Sequence, residues 1–135
     1  MRTLVGLAVC TLALAAATTA VGGQTAVTSI RVTYWNDSSD TSPSAVWTLR
    51  CAPASGSLQR PQRACDRLAS GGAKLFAPSP RGIACTEIYG GPQKARVVGT
   101  VDRAHVWATF ARTNGCQIAR WQRISPWLVP AGGVT

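Results

Sequence analysis

Residues 83–92, IACTEIYGGP, have the composition of a β-strand but an ending that an inner strand cannot have. The first seven are mostly apolar or β-branched, whereas the closing Gly-Gly-Pro breaks a strand and removes a ladder donor. Cys85 lies two residues before Glu87, so a disulfide at Cys85 would tie the segment to the domain. The residues favour two interpretations about equally: an extended, exposed peptide in the conformation that a protease binds, or an internal strand with a structural disulfide.

The cysteine count indicates a disulfide framework. Cys10 lies in the N-terminal apolar run, and four cysteines follow it: Cys51, Cys65, Cys85 and Cys116. An even number of cysteines in a small exported domain is typical of two disulfides, and three pairings are possible. No spacing is C-x-x-C and the sequence has one histidine, so we predict no zinc site, no other metal and no cofactor.

The N-terminus has the pattern of a signal peptide. Arg2 precedes an uncharged apolar run from Leu4 to Ala17, and small residues follow to Ala20. That run is too short to span a bilayer. We therefore predict a signal peptide over 1–20, a flexible lead over 21–28, one domain over 29–129 and a tail over 130–135. The mature protein is expected to be secreted and free of the membrane.

The remaining sequence predicts an α+β domain. Alternating apolar and polar residues indicate strands, whereas a proline start, an apolar stripe and a Gly-Gly stop indicate a helix. The predicted class is an antiparallel sheet with one or two short helices on one face. The strands are predicted over 29–35, 45–51, 94–102 and 105–112, the helices over 61–71 and around 118–121, loops over 52–60 and 73–84, and a final extended segment to about 129.

Charge and motifs exclude several function classes. The net charge is +9 with 14 basic and five acidic residues, but the basic residues are scattered, with no run of three. A nucleic-acid site more often shows a basic cluster interleaved with aromatics, so we predict a solvated cationic surface and no nucleic acid as partner. His105 is expected at the surface, and no nucleophile elbow, P-loop or metalloprotease motif occurs. No enzymatic activity is predicted.

Five motifs give the chain a family resemblance. They are LRCAP (49–53), ACDRLASGG (64–72), CTEIYGGPQ (85–93), VVGTVD (97–102) and TNGC (113–116). With these motifs the chain resembles the subtilisin inhibitor-like family, the Streptomyces type of secreted serine-protease inhibitor, over about residues 29–127. The resemblance implies a five-stranded antiparallel sheet, two short helices and a sheet-mediated homodimer. It also implies the disulfides Cys51–Cys65 and Cys85–Cys116.

The resemblance assigns roles within the quoted segment. It implies that the reactive bond is Glu87–Ile88 and that Glu87 enters the specificity pocket of the protease. The other protease-contacting residues are then Ile83, Ala84, Cys85, Thr86 and Tyr89, and the residues that support the loop are Asn114 and Cys116.

One residue departs from the family pattern. Family members typically carry Met, Leu or Lys where this chain has Glu87, and a carboxylate costs several kcal/mol to bury unpaired in an apolar pocket. The expected partner is therefore a serine protease of the subtilisin type or of the glutamyl endopeptidase type. The alternative is a secreted cationic binding module on the same scaffold, with protease inhibition weak or lost.

Overall fold

A computed structural model describes residues 27–132. The predicted signal peptide and almost all of the predicted lead lie outside the described residues, as do residues 133–135. The boundaries of the predicted domain stay predictions. No helix within residues 27–132 combines the length and the apolar character that crossing a membrane requires.

Five antiparallel strands form one sheet, as predicted. They are β1 (Ser29–Trp35), β2 (Ala45–Arg50), β3 (Ser55–Gly56), β4 (Lys94–Val101) and β5 (Ala104–Phe110). Their order across the sheet is β3-β2-β1-β4-β5, so β1 lies in the middle. Alternation explains the four long strands, because every second side chain is apolar and faces the core. β3 lies in a stretch predicted as loop, since its two residues show no alternation.

The helices differ in extent from the prediction. Helix α1 (Pro61–Gly71) has the predicted bounds, with proline in its first turn. Helix α2 (Gly115–Ile124) begins earlier and ends later than predicted. A 3-10 helix, Gly72–Phe76, occupies part of the stretch predicted as irregular. Turns follow α2, so the predicted final extended segment to about Val129 is wrong.

The core lies between one face of the sheet and the two helices. The inward side chains of β1 and β4, such as Val32 and Val97, pack in one cluster with Leu68 of α1 and Trp121 of α2. Burying a large apolar side chain stabilises the fold by about 1.5–3 kcal/mol, so this cluster supplies the main driving force for folding.

Two disulfides link the helices to the rest of the domain. One joins Cys51, just after β2, to Cys65 of α1, and the other joins Cys85 to Cys116 of α2. These are the pairs that the family resemblance implied. The second disulfide closes the longer loop, with a sequence separation of 31 residues.

Candidate functional site

The segment between the 3-10 helix and β4 has no regular secondary structure, and its middle is exposed. Every residue from Arg81 to Tyr89 is exposed. Ile83, Ile88 and Tyr89 leave 50%, 62% and 58% of their side chains open to solvent. Three large exposed apolar side chains within seven residues are typical of a binding surface. Residues 83–89 are therefore exposed and form no internal strand, whereas a conformation suited to a protease stays a prediction.

The centre of this segment is fixed to the start of α2. Besides the Cys85–Cys116 disulfide, the Gly115 N–H donates to the Thr86 carbonyl at 2.9 Å. A β-carbon at Gly115 would collide with the Thr86 hydroxyl oxygen, so glycine permits this close approach. Two consecutive residues are thus held immediately before Glu87.

The downstream end is held by Arg112, which follows β5. Its carbonyl accepts a hydrogen bond from the Gly90 N–H at 2.7 Å, and its Nη1 donates to Gln93 Oε1 at 2.8 Å. Arg112 is buried, and its Nε has no hydrogen-bond partner within residues 27–132. The guanidinium lies about 6.0 Å from the ring centre of Trp121. Sequence reasoning missed Arg112, since nothing in its local pattern distinguishes it from the other arginines.

The upstream end is held by two arginines of α2. Arg120 Nε and Arg123 Nη2 both donate to the Ala77 carbonyl, at 3.2 and 3.1 Å. Arg120 Nη1 also reaches the Thr109 carbonyl of β5 at 3.0 Å. Burial, with a smaller contribution from the charge of Arg123, lowers the pKa of Arg120 from its usual value. An arginine still keeps its charge at neutral pH, so these charge-assisted bonds persist.

Asn114 lies beside this site and caps α2. Its Oδ1 accepts a hydrogen bond from the Gln117 N–H at 3.0 Å, which satisfies one free donor of the first turn. This bond is directed to the helix and not to the exposed segment. The predicted support of the loop by Asn114 therefore stays a prediction.

Glu87 and Ile88 lie at the exposed middle of the segment. Within residues 27–132, the Glu87 carboxylate makes no hydrogen bond or ion pair, so its charge faces solvent. No group of three His, Cys, Asp or Glu side chains in the described part of the chain could hold a metal ion. The site thus consists of a constrained peptide and its supports.

Fold and site together define a disulfide-stapled α+β domain that presents a constrained, exposed peptide. Nine chains of solved structures match this chain. One belongs to the crystal structure of Streptomyces caespitosus sermetstatin in complex with Bacillus licheniformis subtilisin. The identity is 23%, the match covers 76% of this chain and 97% of the other, and the TM-score is 0.52. This similarity shows a shared fold. No family model and no curated protein matches the sequence.

Proposed function

We propose that this chain is a secreted inhibitor of serine endopeptidases, not an enzyme, and that it binds them like a substrate through residues 83–89. The reactive bond is Glu87–Ile88. The observation that carries the proposal is the exposed segment fixed before and after this bond, at Cys85 and Thr86 and again at Gly90. The match to a chain crystallised with subtilisin supports it.

The supports explain how such a peptide would resist hydrolysis. The protease serine attacks the Glu87 carbonyl carbon, and the peptide bond breaks with the Ile88 nitrogen as leaving group. The bond between Gly90 and Arg112 keeps this amine next to the acyl group after cleavage. A reactant held in place has a very high effective concentration, so the amine re-forms the peptide bond before water can hydrolyse the acyl-enzyme.

Constraint also explains how binding would be tight. A flexible peptide loses conformational entropy when it binds, whereas a segment already held at both ends loses little. Protease–inhibitor complexes of standard size, roughly 1,600 Å² of buried surface, are among the tightest known for this reason. Ile83 and Ala84 would pair with an exposed strand of the protease by β-addition, with Tyr89 on the other side of the reactive bond.

The target follows from the side chain at position 87. An apolar pocket must desolvate the Glu87 carboxylate, whereas a glutamate-specific protease compensates its charge. The partner is therefore a broad-specificity subtilisin or a glutamyl endopeptidase. The extracellular location rests on the predicted signal peptide and on the two disulfides, which persist in oxidising compartments. The sheet-mediated homodimer that the resemblance implies is no part of this proposal.

Cleavage mapping tests the proposed bond. The protein is incubated with a catalytic amount of subtilisin and, separately, of a glutamyl endopeptidase, and its masses are followed over time. We expect one slow cut, between Glu87 and Ile88, that stops at a mixture of intact and cut protein. Purified cut protein should return to the same mixture when fresh protease is added. A first cut elsewhere, or a cut that runs to completion, would refute the proposal.

A further inference from the structure

A cleft of about 420 Å³ opens on the helix side of the sheet, between β2, the start of α1 and the turns that follow α2. Seven of its ten lining residues are apolar, among them Trp47, Leu58 and Trp127. Small-molecule sites in proteins typically have volumes of about 300–1,000 Å³ and mostly apolar walls with a few polar groups. None of the ten lining residues belongs to the exposed segment, so this cleft lies apart from the proposed reactive bond.

Hydrogen bonds hold the walls of the cleft in place. Trp127 Nε1 donates to the Arg123 carbonyl at 3.0 Å, and Trp121 Nε1 donates to the carbonyl of Pro130, another lining residue, at 2.9 Å. Trp47 packs against the buried core. A ligand therefore meets a surface that is already formed, and the ordering of side chains costs little of its binding free energy.

Two arginines give the cleft a positive charge. Arg60 and Arg63 line it, and both side chains are exposed. Within residues 27–132, neither guanidinium forms an ion pair or a hydrogen bond, and none of the ten lining residues is acidic. The start of α1 adds to the positive potential, because its first turn has no acidic residue and no side-chain cap. The cleft thus combines apolar walls with uncompensated positive charge.

The cleft stays accessible in the homodimer that the family resemblance implies. Trp47 alternates along β2 with the exposed residues Val46 and Thr48, and it packs against the core on the same face as Leu49. The helices cover this face of the sheet, so two sheets can stack only through their opposite faces. A sheet-mediated dimer and an occupied cleft are therefore compatible.

We propose that this cleft binds a small molecule with an apolar body and a single carboxylate, such as a fatty-acid anion or an aromatic acid. The body lies against Trp47 and Trp127, and the carboxylate accepts hydrogen bonds from Arg60 and Arg63. Arginine pairs with carboxylates through two parallel hydrogen bonds, so the contact is both strong and directional.

The size and the walls of the cleft decide the kind of occupant. Its volume lies near the lower end of the range for small-molecule sites, which favours a small molecule over a folded partner. A second charged group on the ligand would be buried unpaired against the apolar walls, which costs free energy. This proposal goes beyond the proposed inhibition and does not depend on it.

Isothermal titration calorimetry of the unmodified protein with butanoate, hexanoate and octanoate tests the apolar part of the proposal. Burial of each additional methylene should strengthen binding about fourfold until the cleft is full. 1-Octanol has the same chain length and no charge, so it should bind at least tenfold more weakly than octanoate. 2-Naphthoate is titrated in parallel. Tighter binding than that of octanoate assigns the cleft to an aromatic acid, and weaker binding assigns it to a fatty acid.

Two double variants locate the site. R60A/R63A should weaken octanoate binding at least tenfold, because both charge-assisted contacts are lost. The control R67A/K74A removes the same charge from outside the cleft and should bind octanoate within about twofold of the unmodified protein, since salt screens distant charges. All four positions are exposed, so the melting temperatures should stay within a few degrees. R60A/R63A should inhibit proteases as the unmodified protein does, so the two proposals fail independently.

Three outcomes would overturn the proposal. The first is no binding of octanoate or 2-naphthoate at millimolar concentration, including the case of a dimer that covers the cleft. The second is binding of 1-octanol as tight as that of octanoate, which would leave the two arginines without a role. The third is an equal loss of affinity in R60A/R63A and R67A/K74A, which would assign binding to the overall charge and not to the cleft.

Discussion

At the scale of single residues, two neighbouring glycines determine how the exposed segment rejoins the fold. A β-carbon at Gly90 would lie 2.9 Å from the Ile118 side chain and 3.2 Å from the Arg112 carbonyl. Gly91 has a φ of +130° and lies over the hydrogen bond between Arg112 and Gln93. The sequence predicts the break in the strand from Gly-Gly-Pro. It could not predict Arg112 as the partner, because the contact joins residues about 20 positions apart.

Gly91→Ala should destabilise the protein more than Gly82→Ala. Gly82 has a φ of +76° and open space around it, so alanine there adds about 1–2 kcal/mol of backbone strain alone. Alanine at Gly91 adds strain and also displaces Gln93 from the buried Arg112, for a total of roughly 2–4 kcal/mol. Urea unfolding of both variants measures the difference. An equal loss in free energy of unfolding in the two variants would mean that the Arg112–Gln93 contact contributes nothing to stability.

At the scale of elements, α2 supports the exposed segment with residues from three of its turns. Cys116, Arg120 and Arg123 reach the segment at its centre and at its upstream end. The sequence predicts only a short helical piece here. Asn114-Gly115 has the composition of a tight turn, and the same two residues also suit a helix cap and a first turn. Only the tertiary contacts decide between these two uses.

Two substitutions at Asn114 separate capping from loop support. Asn114→Asp keeps an oxygen that can cap α2 and loses the amide group, so stability should stay within about 0.5 kcal/mol. Asn114→Ala removes the cap and should cost about 1 kcal/mol. If the amide supports the segment, as the family resemblance implies, Asn114→Asp will be cleaved faster at unchanged stability. Cleavage as slow as in the unmodified protein would limit Asn114 to its role in the helix.

The two disulfides should differ in their effect on function. Replacing Cys85 and Cys116 by alanine removes the covalent link before Glu87 and leaves only the Gly115–Thr86 hydrogen bond there, so the chain should change from inhibitor to substrate. Replacing Cys51 and Cys65 should cost roughly 3 kcal/mol of stability through the loss of a loop constraint and leave the segment held. Cleavage rates of the two variants are compared at temperatures at which the same fraction of each is folded. Equal rates in the two variants would refute the bracing role of Cys85–Cys116.

At the scale of the whole molecule, local pattern predicts the long strands and α1, and the resemblance predicts the disulfide pairs. Local pattern could not predict that Arg31, Arg50, Lys94 and Arg96 lie on one face of the sheet, because they come from three strands and strand register alone brings them together. In sequence they are scattered, and the solvated cationic surface stays a prediction.

The pKa shifts of Tyr34 and Asp37 predict that the free energy of unfolding falls at alkaline and at acidic pH. Burial raises the pKa of Tyr34 above 10.0, an effect partly offset by Arg112, so stability is full below pH 10 and falls as the pH rises through the folded-state pKa. Hydrogen bonds from the Ser39 N–H and hydroxyl lower the pKa of Asp37 below 3.8, so its contribution is lost as the pH falls through that lower value.

Urea unfolding measured from below pH 3.8 to above pH 10.0 checks both limits. In Tyr34→Phe, the free energy of unfolding at alkaline pH should stay at the value that the same variant has at neutral pH. If the free energy of unfolding of Tyr34→Phe falls at alkaline pH as much as that of the unmodified protein, another group causes the fall.

The measurement closest to the central claim compares inhibition constants of the unmodified protein, Glu87→Met and Glu87→Lys against subtilisin and trypsin. Glu87→Met should strengthen subtilisin inhibition about 10- to 1,000-fold, or roughly 1.4–4 kcal/mol, because an apolar side chain replaces a carboxylate in an apolar pocket. Glu87→Lys should create trypsin inhibition, since that pocket presents a buried acid. All three melting temperatures should agree within a few degrees, because position 87 is exposed. Identical inhibition constants for the three proteins would mean that Glu87 never enters a protease pocket, and would contradict the account.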